Sequence, residues 1–328
     1  MISLVTGANG FVGSAVTQAL LEAAHTVRVL VRPGSDRRNI NKLDVEVYEG
    51  DLRNPSSLEA AVHGCDNLFH VAADYRLWIP DPENMYEINV TGTKNLLLAA
   101  AESGVEHIVY TSSVATLGYN PAGAPADEDT PSSLADMIGH YKRSKYMAEE
   151  AVQELIGQLN LPVVIVNPST PIGPRDIKPT PTGRIVLDTM RGQMPAFVDT
   201  GLNIVHVDDV AHGHILAMQY GRIGERYILG GENMSLLAIL QTIDELNGKP
   251  SYRIRLPHQV VLPAAWIMER IAGLTGIEPR ATVDSVRMAK KLMFFSSDKA
   301  MRELGYQYRP AREALADAMT WFRLHGYC

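Results

Sequence analysis

The stretch HYKRSKY at residues 140–146 contains two tyrosine–lysine pairs at helical spacing. Tyr141 lies four residues before Lys145. Lys142 lies four residues before Tyr146, so each pair would share one face of a helix. Apolar residues of the following turns continue the face of Tyr141, whereas polar residues continue the face of Tyr146. The pattern therefore predicts that Tyr141 and Lys145 point toward the core and that the other pair faces water.

The stretch LVTGANGFVGSAV places Gly7, Gly10 and Gly13 in the pattern G-x-x-G-x-x-G. The glycines follow a run that is typical of a buried strand and precede a run that is typical of a helix. In this context, glycines permit a tight turn and let backbone amides approach a pyrophosphate group. The pattern predicts dinucleotide binding, with a purely structural turn as the alternative.

The end of the second predicted strand indicates which dinucleotide is bound. Folds that bind NAD usually have an acidic residue about 20 positions after the glycines, hydrogen-bonded to a ribose hydroxyl. This chain has Arg32 there, followed by Arg37 and Arg38, and a guanidinium group matches the geometry of a phosphate. We therefore expect NADP. NAD is the alternative if Asp36 takes the acidic role or if the arginines only form a solvated loop.

Two further strand ends supply residues near the expected nucleotide. Asp51 ends the third predicted strand and is expected at the adenine edge. Ala72 and Ala73 end the fourth, where small side chains would let the backbone approach the ribose and pyrophosphate. Core packing is the alternative for the two alanines.

Together these features predict coupled proton and hydride transfer. The pKa of tyrosine is about 10, which makes it a poor acid–base group at neutral pH. An inward lysine is costly to bury unless it has a role, and its ammonium, with a cationic nicotinamide ring, would lower the pKa of Tyr141. Tyr141 would then exchange a proton with a substrate oxygen. Ser112 or Ser113, at the end of the fifth predicted strand, would orient that oxygen, since strand alternation turns only one of them toward Tyr141.

The elements that must position these residues alternate along the first half of the chain. Short β-branched runs are separated by stretches with apolar residues at three- and four-residue steps. The predicted strands are 2–6, 26–32, 45–50, 67–73, 107–113 and 163–169. This alternation predicts an α/β fold of the Rossmann type, a parallel, doubly wound sheet covered on both faces. We expect a nucleotide-binding domain over 1–168, with segments near 203–231 crossing back to it, and a smaller substrate-binding lobe over 169–328.

The composition, 46% hydrophobic and 20% charged, is ordinary for a globular protein, and the net charge of −7 argues against nucleic-acid binding. Cys65 and Cys328 are too few for a disulfide framework, which favours a reducing, cytoplasmic setting. The chain starts in a strand pattern without a visible signal peptide, and its apolar runs are shorter than the roughly 18 residues of a membrane span. The apolar helix predicted over 258–276 is expected to pack within the second lobe, with contact to a membrane surface as the alternative.

Four motifs, TGANGFVG, TSS, YKRSK and NPSTPIGP, occur in the order seen in the extended short-chain dehydrogenase/reductase superfamily, and the resemblance covers nearly the whole chain. It implies that Tyr141 is the catalytic acid/base, that Lys145 holds the nicotinamide ribose and that Ser113 completes a triad. It also implies that Asn89 supports the lysine through a water molecule. The positions that it implies for cofactor binding are Gly7, Asn9, Gly10, Phe11, Val12, Gly13, Arg32, Arg37, Asp51, Leu52, Ala72, Ala73, Ser112, Tyr141, Lys145, Pro168 and Thr170.

Within the superfamily, Arg32 and the stretch YTSSVATLG are similar to dihydroflavonol 4-reductase-like carbonyl reductases, which prefer NADPH. Other stretches, including FHVAADYRLWIPDP, MIGHYKRSK and NPSTPIGPRDIKPTPTGRI, resemble bacterial proteins called hopanoid-associated sugar epimerases. The second resemblance implies a role in modifying the side chains of hopanoid lipids.

Several residues outside these motifs are candidates for substrate contact. Tyr75 and Trp78 lie in the loop after the fourth strand, where they would contact substrate or only anchor the loop. Arg175 would bind a polar substrate or pair with Asp176. His140 is expected to be a polar residue at a helix terminus, with substrate contact as the alternative.

A cluster of histidines and acids raises the question of a metal site. His206, His212 and His214 lie close in sequence to Asp208 and Asp209, but His212 and His214 do not share a helix face, and the spacing does not bring three ligands together. We therefore predict no metal, and expect one of the aspartates to cap the helix that follows.

The combined prediction is an NADP-dependent oxidoreductase that interconverts a carbonyl and an alcohol on a small molecule. The alternative is a sugar or nucleotide-sugar epimerase or dehydratase with tightly bound NAD(P), because those enzymes use the same triad. Arg32 argues against an epimerase, because epimerases generally retain NAD. The stretch TSSVATLG argues against a dehydratase, because it lacks the acidic pair that dehydratases carry near the serine. A non-catalytic redox sensor that binds NADP and a protein partner is the third hypothesis. Related folds often dimerise through a pair of helices, so we also expect that the protein can form a homodimer.

Overall fold

Strands and helices alternate through the computed structural model, which describes residues 1–79, 81–120, 123–276, 279 and 281–328. The strands are β1 (Ile2–Thr6), β2 (Thr26–Val31), β3 (Val45–Glu49), β4 (Asn67–His70), β5 (His107–Thr111), β6 (Val163–Pro168), β7 (Thr170–Ile172), β8 (Ala196–Phe197), β9 (Gly201–His206), β10 (Arg226–Leu229), β11 (Glu232–Ser235), β12 (Ile254–Arg255) and β13 (Leu292–Met293). The helices are α1 (Phe11–Glu22), α2 (Ser56–Val62), α3 (Glu83–Tyr86), α4 (Gly92–Glu102), α5 (Gly139–Leu159), α6 (Pro181–Met190), α7 (Val207–Tyr220), α8 (Leu236–Leu246), α9 (His258–Thr275), α10 (Val283–Met288), α11 (Asp298–Leu304) and α12 (Ala311–Leu324). A π-helical turn, Glu87–Thr91, joins α3 to α4.

Seven of these strands form one parallel sheet in the order β10-β6-β5-β4-β1-β2-β3. Neighbouring residues of one strand pack on opposite faces, as in β1, where Leu4 belongs to the core beneath α2, α4 and α5. Val5 belongs to the core beneath α1 and α7. Both side chains are fully buried, because helices cover both faces. This confirms the predicted parallel, doubly wound sheet.

The strand order places the ligand-binding edge at the carboxyl ends of β1 and β4. The chain crosses from β3, at one edge of the sheet, to β4 on the other side of β1. In open α/β sheets, ligands bind at such a reversal, outside the carboxyl ends of the strands. The hydroxyl oxygen of Thr6 accepts hydrogen bonds from the amides of Val71 and Ala72, both at 3.2 Å. The glycine loop and the segment after β4 are therefore tied together at this edge.

The second half of the chain builds a smaller layer beside the large sheet. β9 pairs with β7, β11 and β13, and β8 pairs with β12. A separate core forms between α6, α8, α12 and β9. Of the segments expected to cross back, β10 joins the large sheet and α7 packs on it, whereas β9 belongs to the smaller sheet, which corrects that part of the prediction. A division near residue 168 stays our proposal.

Helix α9 packs on α10 in the second half of the chain, as the sequence predicts. Of its side chains, however, only Ala265 and Ala272 are buried. The uncovered side was not predicted, because an apolar face does not specify what covers it. Among the described residues, no helix has both the length and the apolar character needed to cross a bilayer.

We predict that Gly13→Ala destabilises the fold whereas Gly157→Ala does not. A Cβ atom at Gly13 would overlap the carbonyl oxygen of Gly7, so α1 would have to move away from the loop that follows β1. We expect a loss of about 1–3 kcal/mol in the free energy of unfolding. Gly157 lies within α5 with no atom within 4 Å of an added Cβ, and alanine there should stabilise by about 0.5–1 kcal/mol. Urea unfolding of both variants measures the difference, and equal changes would contradict the close approach.

Candidate functional site

The ammonium group of Lys145 is buried between α5 and the end of β5. It donates hydrogen bonds to the hydroxyl of Tyr110 at 3.0 Å and to the carbonyl of Thr111 at 2.8 Å. Burial lowers the pKa of Lys145 to about 8, and the carboxylate of Glu149 acts in the opposite direction. A lysine has three N–H donors, and the third has no acceptor among the described residues. The geometry therefore offers one buried cationic donor to a ligand at the edge of the sheet.

Tyr141 lies one helical turn before Lys145 on α5. Burial raises the pKa of the Tyr141 phenol, and the nearby hydroxyl of Ser113 partly opposes that rise. The sequence predicts a lowered pKa from the neighbouring ammonium group, and the structure differs because Lys145 is directed at Tyr110 and Thr111.

The second tyrosine–lysine pair does not face water, which corrects the prediction. Lys142 is buried, binds the hydroxyl of Tyr119 and lies 4.7 Å from the centre of its ring. Burial lowers the pKa of Lys142 to about 8. Tyr146 is half-buried and donates to the carbonyl of Ser132 at 3.5 Å. The segment between β5 and α5, which carries Tyr119 and Ser132, covers this face of the helix, and helical periodicity does not contain that information.

Glu149 is a buried carboxylate that sequence analysis missed. It lies one turn after Lys145 on α5. Its donors are Ser112, Thr116 (2.9 Å), Asn167 (3.1 Å) and Arg226 (3.2 Å). The carboxylate thus connects α5 to the ends of β5 and β6. Its spacing of four residues from Lys145 is the only signal in the sequence that could have indicated it.

Ser112 and Ser113 follow β5, and their side chains have different partners. The Ser112 hydroxyl donates to Glu149, so its side chain is not directed at Tyr141. Ser113 also accepts a hydrogen bond from the amide of Ala115 at 3.1 Å. Only the backbone of Ser112 is therefore left for the cofactor contact that the resemblance implies.

The glycine loop closes tightly against the segment after β4. Gly7 has φ of +70°, and an added Cβ would lie 2.8 Å from backbone atoms of Ala72. The amide of Gly10 donates to the carbonyl of Gly7 at 2.9 Å, and α1 starts after Gly10 without a side-chain cap. Phe11 and Val12 therefore begin a helix whose first amides are not satisfied by a capping side chain, which fits a pyrophosphate group.

The loop after β2 contains one arginine without a hydrogen-bonded acid. Arg32 is exposed just beyond β2, and no group among the described residues accepts a hydrogen bond from its guanidinium. Arg37 pairs with Glu49, so its expected contact with the cofactor would require that pair to open. The hydroxyl of Ser35 is buried there with no partner. These two groups, a free guanidinium and an orphan hydroxyl, suit a phosphate.

Asp36, the acidic residue that could bind a ribose hydroxyl of NAD, is already paired with an arginine of the same loop. The carboxylate of Asp36 binds the guanidinium of Arg38 through contacts of 2.8–3.2 Å, which holds the pKa of Asp36 below its usual range. Asn9 donates to the backbone carbonyl of Asp36 at 3.0 Å, not to its carboxylate. Asp36 is therefore not oriented as a free acceptor for a ribose hydroxyl.

The residues expected near the adenine and around α4 occupy defined positions. Arg53 binds Asp51 at 2.7 Å and lowers the pKa of that carboxyl to about 2. Leu52 is buried against Gly92, where an added Cβ would lie 2.7 Å from the Leu52 Cβ atom. Ala73 is half-buried after β4. All of them lie at the carboxyl edge of the sheet.

Asn89 lies in the π-helical turn and is bonded to protein groups on both sides. Its side-chain oxygen accepts from the amide of Asp74 at 2.7 Å, and its amide group donates to the Asp74 carbonyl and the Ser144 hydroxyl, both at 2.9 Å. Ser144 is adjacent to Lys145 in α5. The side chain of Asn89 thus fixes the loop after β4 against α5, and support of the lysine through water stays a prediction.

The segment after β6 carries a further orphan group. Pro168 ends β6 and Thr170 begins β7, and the buried hydroxyl of Ser169 between them has no partner among the described residues. Sequence analysis selected Pro168 and Thr170 but missed Ser169. An unsatisfied buried hydroxyl at this position fits a polar group of a ligand.

Arg175 and Asp176 do not pair with each other. Arg175, with φ of +76°, pairs with Asp208, and its Nε atom is buried without a partner. Its carbonyl accepts from Asn39 at 2.9 Å, and the same Asn39 amide lies 3.4 Å from the carbonyl of Gly10. Asn39, which sequence analysis missed, therefore connects the glycine loop to the substrate-binding side.

Asp176 is buried and accepts from the amide and hydroxyl of Thr180, both at 2.9 Å. Burial raises its pKa to about 6. Burial also raises the pKa of Tyr75, and the charge of Asp176 acts in the same direction. Trp78 is half-buried in the same loop, of which residue 80 lies outside the described residues.

His140 is exposed and hydrogen-bonds to the hydroxyl of Tyr86 at 3.1 Å.

The histidines around α7 have structural partners. His206, not an aspartate, caps α7 by accepting from the amide of Asp208 at 3.0 Å, which corrects the expected cap. Asp209 pairs with Arg309 at 2.7 Å. His214 accepts from the Thr111 hydroxyl at 2.9 Å, and burial lowers its pKa to about 4. In the part of the chain that the structure describes, no three potential metal ligands gather.

Comparison with known proteins gives consistent matches. The model of the NAD dependent epimerase/dehydratase family matches residues 3–230. A protein of Synechocystis sp., provisionally named dihydroflavonol 4-reductase, is 46% identical over 98% of this chain and 95% of its own. Sterol demethylase protein B of Methylococcus capsulatus is 35% identical over 99% of both chains. The crystal structure of gox2253 has 57% identity and a TM-score of 0.90 over 99% of both chains.

We predict that Glu149→Gln moves the alkaline limb of the pH–rate profile to lower pH. The Glu149 carboxylate raises the pKa of Lys145, so a neutral side chain lets the ammonium lose its proton at lower pH, and activity that needs the ammonium falls earlier. The measurement is kcat/KM against pH for the purified variant. Glu150→Gln, an exposed neighbour on the same helix, is the control and should keep the original profile. An unchanged limb in Glu149→Gln would refute the coupling.

Proposed function

This chain belongs to the NAD-dependent epimerase/dehydratase family, and from that premise we propose that it is an NADP-dependent oxidoreductase of the extended short-chain dehydrogenase/reductase type. It interconverts a carbonyl and an alcohol. The observation that carries the proposal is the buried ammonium of Lys145 at the end of β5, with Tyr141 one turn away on α5 and Ser113 two residues after Thr111. A phenol, a hydroxyl and a cationic donor at one sheet edge are the groups that proton transfer to a carbonyl oxygen requires.

Each residue has a distinct role in the proposed reaction. Ser113 donates a hydrogen bond that orients the substrate oxygen, and Tyr141 gives that oxygen its proton during reduction. Lys145 binds the ribose through its third N–H donor, and the Ser113 hydroxyl opposes the effect of burial on the Tyr141 phenol. The nicotinamide, when bound, supplies the hydride to the carbonyl carbon, or accepts it in the reverse direction. The glycine loop holds the pyrophosphate at the start of α1.

Two features support NADP over NAD. Arg32 has no hydrogen-bonded acid, and the buried hydroxyl of Ser35 lies in the same loop without a partner. Asp36, the acidic alternative, is held by Arg38. A phosphate on the adenosine ribose would bind both Arg32 and Ser35, whereas a ribose hydroxyl would not satisfy a guanidinium fork.

The names of the relatives support reduction of an apolar ketone. Besides the Synechocystis protein, a ketoreductase of Stigmatella aurantiaca that acts on a farnesylated quinoline oxide is 29% identical over 97% of this chain. The sterol demethylase relative is named for a polycyclic lipid. We extend the proposal to lipid substrates, including the side chains of hopanoids, in a cytoplasmic enzyme that forms a homodimer.

A second candidate is an epimerase or dehydratase that returns the hydride to its own product. It is favoured by the family description and by the structure of a nucleoside-diphosphate-sugar epimerase of Pseudomonas aeruginosa, which is 26% identical with a TM-score of 0.82 over 100% of this chain and 99% of its own. Such an enzyme would keep its nicotinamide bound and would not consume added NADPH.

We predict that the purified protein oxidises one NADPH for each ketone that it reduces. The Tyr141→Phe variant should be slower by a factor of about 10²–10⁴. The phenol supplies the proton, so its loss affects kcat while NADPH affinity stays nearly unchanged. A panel of sterol-like and small ketones, followed by NADPH absorbance and product analysis, provides the measurement.

Tyr146→Phe is the matched control, because Tyr146 lies on another face of α5 and binds a loop carbonyl. It should keep the wild-type rate. Full activity of Tyr141→Phe would reject the assigned role. Product formation from a sugar nucleotide without net NADPH consumption would favour the epimerase instead.

We further predict that Arg32→Ala raises KM for NADPH by about tenfold to hundredfold, the loss of one or two charged hydrogen bonds. KM for NADH should stay unchanged, because NADH has no phosphate at that position. Steady-state kinetics with both cofactors measure the ratio. Arg222→Ala, which removes an exposed arginine paired with Glu303 outside this loop, is the control and should leave both KM values unchanged. An equal change in both cofactors would contradict a phosphate contact.

A further inference from the structure

Helix α9 carries an apolar stripe that no part of the described chain covers. We call Val260, Ala264, Ile267, Ile271 and Leu274 the α9 stripe. Their spacing alternates between four and three residues, so they lie on one side of the helix. All five are exposed, and the four larger side chains range from 53% for Ile267 to 90% for Leu274. Contiguous exposed apolar surface of this kind marks an interaction site.

The opposite side of α9 is fixed to the protein. Glu269 accepts a hydrogen bond from the amide of Val283, the first residue of α10, at 2.9 Å. His258 hydrogen-bonds to the carbonyl of Ala289 at 3.2 Å. Ala265 and Ala272 are buried. The α9 stripe therefore points outward because the other side of the helix is anchored, and rotation of the helix would break these contacts.

The charge around α9 differs in sign from that of the rest of the chain. Residues 252–291 contain seven Lys and Arg against three Asp and Glu, whereas the whole chain contains 30 against 37. Arg253, Arg255 and Arg287 are paired with acids. Arg270 and Lys290 are exposed, and Arg270 lies 5.1 Å from the centre of the Trp266 ring. Basic residues beside an exposed apolar helix and a tryptophan are the combination that binds anionic lipid.

We propose that α9 docks in the plane of an anionic lipid surface, with the α9 stripe in the acyl boundary and the basic residues at the headgroups. Helix α10 packs on the anchored side of α9, and its Asp284 carboxylate lies 3.2 Å from the Cβ position of Gly139, where α5 starts. On docking, α9 and α10 would lie between the membrane and the helix that carries Tyr141.

The same observations disfavour a second copy of the chain as the occupant. A twofold contact through the α9 stripe would bring two basic flanks together, and like charges across an interface are repulsive. An anionic headgroup layer instead complements Arg270 and Lys290. Lipid binding should therefore depend on both the apolar stripe and the charge of the vesicle.

Vesicle flotation tests the proposal with the full chain and needs no substrate. We expect wild-type protein to float with vesicles of phosphatidylcholine and phosphatidylglycerol in equal parts, and not with phosphatidylcholine alone. Ile271→Glu should lower the vesicle partition constant at least about tenfold, because an apolar contact with the acyl chains is lost and the new carboxylate is repelled by the anionic headgroups. Leu274→Glu is a second variant in the event that the first does not fold, as judged by thermal melting.

Ile223→Glu is the matched control, because Ile223 is 61% exposed against 54% for Ile271 and lies outside α9. It should float like wild type. Absence of wild-type flotation with the anionic vesicles, equal flotation with neutral ones, or equal effects of Ile223→Glu and Ile271→Glu would each overturn the proposal. Light scattering completes the test, since a wild-type oligomer that dissociates in Ile271→Glu would assign the stripe to a second copy.

Discussion

The burial of the Lys145 ammonium is the constraint on which the candidate site depends. Moving a cation out of water is costly unless hydrogen bonds replace those of the solvent. Tyr110 and Thr111 provide two of these bonds, and Glu149 provides a negative charge one turn away. Because two of the partners belong to β5, the requirement to satisfy this one cation fixes α5 relative to the sheet.

The same helix fixes the loop that carries the proposed hydroxyl. Glu149 accepts hydrogen bonds from Ser112 and Thr116, on both sides of Ser113. The segment around Ser113 is therefore held against α5, the helix that carries Tyr141. A buried carboxylate with several donors is rigid, since losing any one donor leaves charge unsatisfied. Lys145 and Glu149 therefore act through positioning as well as through charge.

Much of this arrangement follows from local sequence patterns. The alternation of apolar runs predicted the sheet, and the glycine spacing predicted the tight loop at the first crossover, because both depend on residues close in the chain. The burial of Lys142 was not predictable in this way. It depends on Tyr119, 23 residues earlier, and on a loop whose path no periodicity specifies. The pairing of Arg37 with Glu49 joins two strand ends and was missed for the same reason.

Helix α9 shows the limit of amphipathic patterns most clearly. An apolar stripe at three- and four-residue spacing has the same sequence whether protein, lipid or a second chain covers it. Only the polar contacts of the other side, Glu269 to Val283 and His258 to Ala289, determine that the stripe points outward. These contacts join residues up to 31 positions apart. The orientation of an amphipathic helix is thus a tertiary property, and the function of its apolar face follows from the side that is anchored.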